Sequence, residues 1–246
     1  MLALAPAALA GFLIGLRHAT DADHVAAVSA IVARERTVRG AALVGAAWGL
    51  GHTLTLLTLG GAIVVFGLSV PPRVGLALEL CVGLMLIGLG AWNLATRAQR
   101  PALAVLADHA ALPHTTALES HHGAPPARVG LASSARTGLA SPARRALRPL
   151  VVGSMHGLAG SAAAALLVVA TARGTSWGLA YLLVFGIGTM LGMTVLTTAL
   201  ALPLRRALAG SSRAETWVRV GSGMLSFAIG AFVVYQVGFH DGLFLQ

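Results

Sequence analysis

Charge is what this chain has least of. Asp, Glu, Lys and Arg make up 10% of its 246 residues, where a soluble domain carries about a quarter; the ordinary soluble class is thereby excluded. Cysteine is scarcer still. The single thiol, Cys81, lies in an apolar run, which excludes a disulfide framework and a thiolate metal cluster. Lysine is absent, every basic residue is arginine, and no Walker A stretch occurs, so the chain has no ATPase of its own. What is abundant is apolar: 57% of residues are hydrophobic and 30 are glycine, and mean hydropathy is +0.81. Glycine at that level suits helices packed closely in lipid.

About 20 apolar residues cross a bilayer core, and on that measure six spans are expected, over 3–32, 40–67, 74–96, 149–171, 177–201 and 217–238. The opening MLALAPAALAGFLIG has the look of a signal peptide. It lacks a positive n-region and a clear cleavage signal, so it reads as part of the first helix. Between spans three and four, residues 97–148 are rich in Ala, Pro, Ser, Arg and His without a sustained apolar period, the composition of a flexible cytoplasmic loop. That loop adds His109, His114, His121 and His122 beside Asp108 and Glu119, at spacings too irregular for a rigid site.

The formal charge of +9 reads as topology, not as a nucleic-acid patch, because nearly all the arginines lie between apolar segments. Arg34, Arg36 and Arg39 follow span one, Arg73 alone follows span two, seven arginines follow span three, Arg173 alone follows span four, and Arg205, Arg206, Arg213 and Arg219 surround the connection after span five. Positive-inside then puts the odd-numbered connections in the cytoplasm and both termini outside.

The chain also repeats itself. GLRH (Gly15–His18) matches GSMH (Gly153–His156), AWGLG (Ala47–Gly51) matches VFGIG (Val184–Gly188), and GLMLIGLGAW (Gly83–Trp92) matches GMLSFAIGAF (Gly223–Phe232), at offsets of 138, 137 and 140 residues. Three spans per repeat is odd, so the halves run in opposite senses. The expected fold is an all-α polytopic membrane protein of about six transmembrane helices in two inverted three-helix repeats, 1–96 and 149–246. That is a transporter architecture, with its site near the midplane.

Against this background RHATDADH (Arg17–His24) stands out. Ionisable groups at membrane depth are costly and mark ion or substrate paths, and imidazole with carboxylate is a donor set that divalent transition metals take. Four histidines fall at mid-span, His18, His24, His52 and His156, together with Asp21 and Asp23. A lone membrane histidine ordinarily serves as interhelical glue; four with two carboxylates point to a cation site. On an ideal helix His18, Asp21 and His24 share a face and Asp23 points away. Span one, at 30 residues or roughly 45 Å, is longer than a bilayer needs, so a break near the motif is expected, turning Asp23 inward. Arg17 is expected to pair with its i+4 neighbour Asp21. Thr53 adds a hydroxyl beside His52, and Glu79 is a candidate polar relay whose plainer role is packing. Asn93 and Gln236 read as helix-end or interhelical hydrogen bonders.

These residues resemble the nickel/cobalt transporter family. His18, ATDA, Asp23 and His24 match its HX4DH signature, LGHTLTLL (Leu50–Leu57) its second motif, and GIGTMLGMT (Gly186–Thr194) a degenerate third. Six spans and a His-bearing loop are closer to the family's efflux and hydrogenase/urease-accessory branches than to its eight-span importers. The resemblance implies His18, Asp23, His24 and His52 as metal ligands, with Asp21, Arg17, His156, Thr53 and Glu79 supporting or coupling. It implies transport of Ni²⁺ or Co²⁺ as substrate across the bacterial inner membrane, with no prosthetic group, no enzymatic activity and no nucleic-acid partner. A metal chaperone or an unidentified subunit is the expected protein partner. Affinity should fall as histidines protonate near about pH 6. The competing classes are an intramembrane zinc-dependent hydrolase and the membrane subunit of a larger uptake complex.

Overall fold

The computed structural model describes residues 4–35, 37–110, 146–159, 174–208 and 212–244, with no strand among them. The first apolar stretch is two helices, α1 (Leu4–His18) and α2 (Ala22–Val32). Next come α3 (Val38–Thr55), a π-helical turn at Leu56–Gly60, and α4 (Gly61–Phe66). Gly67 closes α4 at φ 62°, a left-handed conformation that favours glycine. Then follow α5 (Pro72–Ala110), α6 (146–159), α7 (Thr175–Leu208), α8 (Ser212–Tyr235) and a second π turn, Gln236–His240.

Among the described residues, four stretches are long and apolar enough to cross a membrane: Val38–Phe66, Pro72–Ala95, Thr175–Leu204 and Thr216–His240. The shorter apolar helices Ala8–His18 and Ala22–Val32 make up the first span, and the fourth is described over 146–159 only. Large apolar side chains such as Leu43, Leu54, Leu84, Val195 and Phe232 point outward, as a lipid-facing surface requires. The helix of span three continues to Ala110, so part of the expected 97–148 loop is helical. The stretch PALAVLADHA is rich in Ala and Leu, which outweigh one proline. Residues 111–145 lie outside the described residues, as do Arg36, Ser161 and Arg173.

Glycines set the helix contacts and expose the repeat. Gly15 lies against Phe185 and Thr189, and Gly188 against Phe12 and Leu16. In the other half Gly153 lies against Trp48, and Gly51 against Leu150 and Ser154. Shifting Gly15, Phe185, Gly188, Phe12 and Leu16 by 137 or 138 gives Gly153, Trp48, Gly51, Leu150 and Ser154. Spans three and six meet on the same axis: Gly90 abuts Gly223 and Phe227, while Gly230 abuts Gly83 and Ile87, an offset of 140. At these points a Cβ would collide with backbone, so only glycine allows the approach.

The same contacts give direction. Gly11 meets Tyr181 and Gly15 meets Phe185, so α1 and α7 run parallel. Gly49 meets Met190 and Gly45 meets Thr197, so α3 and α7 run antiparallel. Gly153 meets Trp48 and Gly157 meets His52, so α3 and α6 run parallel. It follows that α1 and α6, the first helices of the two repeats, run in opposite senses.

One end of the bundle is closed by an arginine-rich knot. Arg34 Nε donates to Asn93 Oδ1 at 3.0 Å, and its guanidinium lies 3.6 Å over the Trp92 ring, with that of Arg148 at 5.3 Å. Asn93 Nδ2 donates to the Arg219 carbonyl at 3.2 Å and to Ser222 Oγ at 3.1 Å. The basic ends of α2, α6 and α8 therefore gather round α5, on one side of the molecule.

Candidate metal centre

The helix break builds the site. After His18 the chain makes a tight turn, with Thr20 N–H donating to the Arg17 carbonyl at 2.8 Å and Asp21 N–H to that of His18 at 3.1 Å. The Thr20 hydroxyl donates to the same Arg17 carbonyl. These bonds satisfy carbonyls that ending the helix sets free. Asp21 then takes the N-cap place of α2 in an extended conformation, without a side-chain cap bond. Its carboxylate is engaged elsewhere: it accepts from His18 Nδ1 at 2.8 Å. The expected Arg17–Asp21 pair is therefore replaced by a His18–Asp21 pair, because the turn ends the helical i,i+4 register between them. Arg17 is exposed and is not among the residues the break brings together.

His18, His24, His52 and His156 converge. Ring centroids lie 4.6 Å apart for His18–His24, 5.2 Å for His18–His52, 5.6 Å for His24–His52 and 4.3 Å for His24–His156. Donor atoms of His18, His24 and His52 fall within 4.8 Å of one another, as do those of Asp23, His24 and His156. An ion held by imidazole at about 2.1 Å keeps its ligand nitrogens roughly 3–4 Å apart, so small ring movements close either set.

The hydrogen bonds orient the rings. Asp23 Oδ1 accepts from His24 Nδ1 at 3.1 Å and Oδ2 from His156 Nε2 at 2.8 Å. A carboxylate only accepts, so these ring nitrogens carry the protons. The opposite nitrogens, His24 Nε2 and His156 Nδ1, are buried without a partner, and so are both nitrogens of His52. Leaving a buried polar atom unpaired costs about 1–3 kcal/mol. Orphaned nitrogens on neighbouring imidazoles fit a cation that takes lone pairs. Carboxylate–imidazole pairs of this kind fix the tautomer of metal-binding histidines.

A cavity of about 250 Å³ leads from His18, Asp23, His24 and His156 to Glu79 and Gln236. Gln236, expected to bond between helices, instead lines this cavity with Glu79; the two share it because α5 packs against α8 and the π turn that follows it. Val82 and Val233 also line this cavity. At the repeat offset of 140, Glu79, Val82 and Val233 correspond to Arg219, Ser222 and Asn93, members of the knot at the other end. Equivalent positions thus line a cavity on one side and a sealed contact on the other. Thr53 does not join the centre: its hydroxyl donates to the Gly186 carbonyl at 2.9 Å, tying α3 to α7.

No protein-family model and no solved structure matches the chain. Among curated proteins it is similar to the urease accessory protein UreH of Bacillus sp. (strain TB-90), 30% identical over 234 residues that cover 95% of this chain and 92% of that protein.

Proposed function

Because the chain belongs to the nickel/cobalt transporter family, we propose that its imidazole cluster is the midplane station of a transporter carrying Ni²⁺ and/or Co²⁺ across the bacterial inner membrane. His18, His24 and His52 supply nitrogen donors in place of hydration water. Asp23 sets the His24 tautomer and contributes charge, and Asp21 does the same for His18. One observation carries the reading: His24 Nε2 and both nitrogens of His52 are buried without partners, within ligand distance of His18. Imidazole donors suit late first-row divalent ions. The urease accessory role of the similar Bacillus protein favours nickel as the cargo.

The repeats supply the motion. The described helices of the two halves interleave through their glycine contacts, and shifts along these seams expose the station alternately. The cavity at Glu79 and Gln236 is the open side, and the Arg34–Asn93–Ser222 knot is the closed one. By positive-inside the knot faces the cytoplasm and both termini face outward.

Equilibrium binding of NiCl₂ and CoCl₂ to the purified protein in nanodiscs tests the reading. Wild type binds one ion, and His52→Ala loses most of that affinity. Equal binding by the two proteins would remove His52 from the site and sink the proposal.

A further inference from the structure

The cluster contains more donors than one ion needs, and they fall into two sets. His18, His24 and His52 form one; Asp23, His24 and His156 form the other. Only His24 belongs to both. Its Nδ1 donates to Asp23 and its Nε2 has no partner, so one free nitrogen is shared between the sets. The unshared members at the two ends of the cluster differ in access. Asp23 is partly exposed and lines the cavity with His18, His24 and His156, whereas His52 is absent from its wall and is almost completely buried.

We propose, resting on the transport reading above, that the protein holds two successive metal stations: an outer one of Asp23, His24 and His156, and a deep one of His18, His24 and His52. An ion from the cavity passes Glu79 and binds first at the outer station. There the Asp23 carboxylate takes the ion instead of its two hydrogen bonds, and both rings turn to offer it their unprotonated nitrogens, His24 Nε2 and His156 Nδ1, so each keeps its proton where it was and stays neutral. When the ion moves inward, His24 swings back with it, still bound through Nε2, and Asp23 recovers both hydrogen bonds. The recovered Asp23–His24 bond makes His24 Nε2 the better donor, which favours the deep position once the ion has left the outer one. Because His24 is shared, the stations are occupied in turn and the protein holds one ion.

The repeat explains the asymmetry. His156 occupies the position equivalent to His18, at the offset of 138. The place of His52 in the second half is taken by Thr189, whose hydroxyl donates to the Phe185 carbonyl of its own helix. The second half therefore contributes one imidazole to the outer station and none to the deep one.

The test uses full-length protein and NiCl₂ as the probe. Binding and nickel-edge X-ray absorption are measured in nanodiscs, and flux in proteoliposomes. For His156→Ala the expected result is wild-type affinity with coordination by imidazoles alone, and flux lowered by about tenfold or more. For His52→Ala, the remaining weak binding should show two imidazoles and a carboxylate. Wild-type flux in His156→Ala would overturn the proposal, and so would loss of all binding, which would make His156 part of a single site. If His156→Ala is not monodisperse, His156→Gln keeps a hydrogen bond to Asp23 without an imidazole donor and is read by the same criteria. Failure of wild type itself to bind or move Ni²⁺ would instead sink the transport reading.

Discussion

Gly157 offers the sharpest test of how packing supports the centre. It follows His156 on α6 and lies against α3 where His52 sits. A Cβ added there would be 2.6 Å from the His52 carbonyl oxygen, 3.0 Å from its Cα and 3.1 Å from Thr55 Cβ. Two of those atoms are backbone, so no side-chain rotation relieves the contact. Ordinary van der Waals spacing requires α6 and α3 to part by roughly half an ångström or more. Overpacking of this kind costs about 1–3 kcal/mol. Alanine's better helix propensity returns up to about 1 kcal/mol, which leaves a net loss on the order of 1–2 kcal/mol. At roughly 2–4 °C per kcal/mol for a chain of this size, Gly157→Ala should lower the thermal midpoint in nanodiscs by several degrees. The separation also draws His156 away from His24, so Ni²⁺ flux should fall with the midpoint. Gly88 on α5 has nothing within 4 Å of an added Cβ, and Gly88→Ala is the control that should leave flux unchanged and, through alanine's helix propensity, hold or raise the midpoint. A Gly157→Ala protein with the midpoint and flux of wild type would refute the claim that this close approach positions the site.

Three further outcomes follow from single contacts. Asp21→Ala removes the acceptor that orients His18 and should weaken Ni²⁺ binding by about 10–100-fold; unchanged affinity by equilibrium dialysis would make the pair incidental. Thr53→Val breaks the bond to the Gly186 carbonyl and should cost about 1 kcal/mol, lowering the thermal midpoint while leaving Ni²⁺ affinity alone. A loss of affinity would instead place the hydroxyl in the site. Asn93→Ala removes three hydrogen bonds from the arginine-rich knot; at about 1–3 kcal/mol this should raise passive Ni²⁺ leak through liposomes roughly fivefold or more. Leak equal to that of wild type would separate the knot from gating.

Much of this was legible in the sequence, for physical reasons. RHATDADH carries more charge than a lipid-facing helix tolerates, and its span is too long for one straight crossing, so both the break and the inward turn of Asp23 follow from local constraints. The repeat was readable because glycine-bearing motifs recur at offsets of 138, 137 and 140 residues. What sequence reasoning missed depends on juxtaposition. Pairing of Asp23 with His156 requires α6 to lie against the first repeat, which the glycines permit without specifying which side chains meet. Glu79 and Gln236 share a cavity although they are far apart in the chain. The Arg17–Asp21 pair assumed an unbroken helix through the very residues where the break lies. Thr53, one residue beyond His52, points to α7, because adjacent helical residues face about 100° apart.

The most direct measurement is metal flux into liposomes with a metal-sensitive dye inside, comparing Ni²⁺, Co²⁺ and Zn²⁺ for wild type and His24→Ala. His24 belongs to both donor sets, so its loss should abolish the flux of Ni²⁺ or Co²⁺ that wild type supports. No flux by wild-type protein that still binds the metal would contradict autonomous transport, and undiminished flux in His24→Ala would contradict the imidazole cluster as its path.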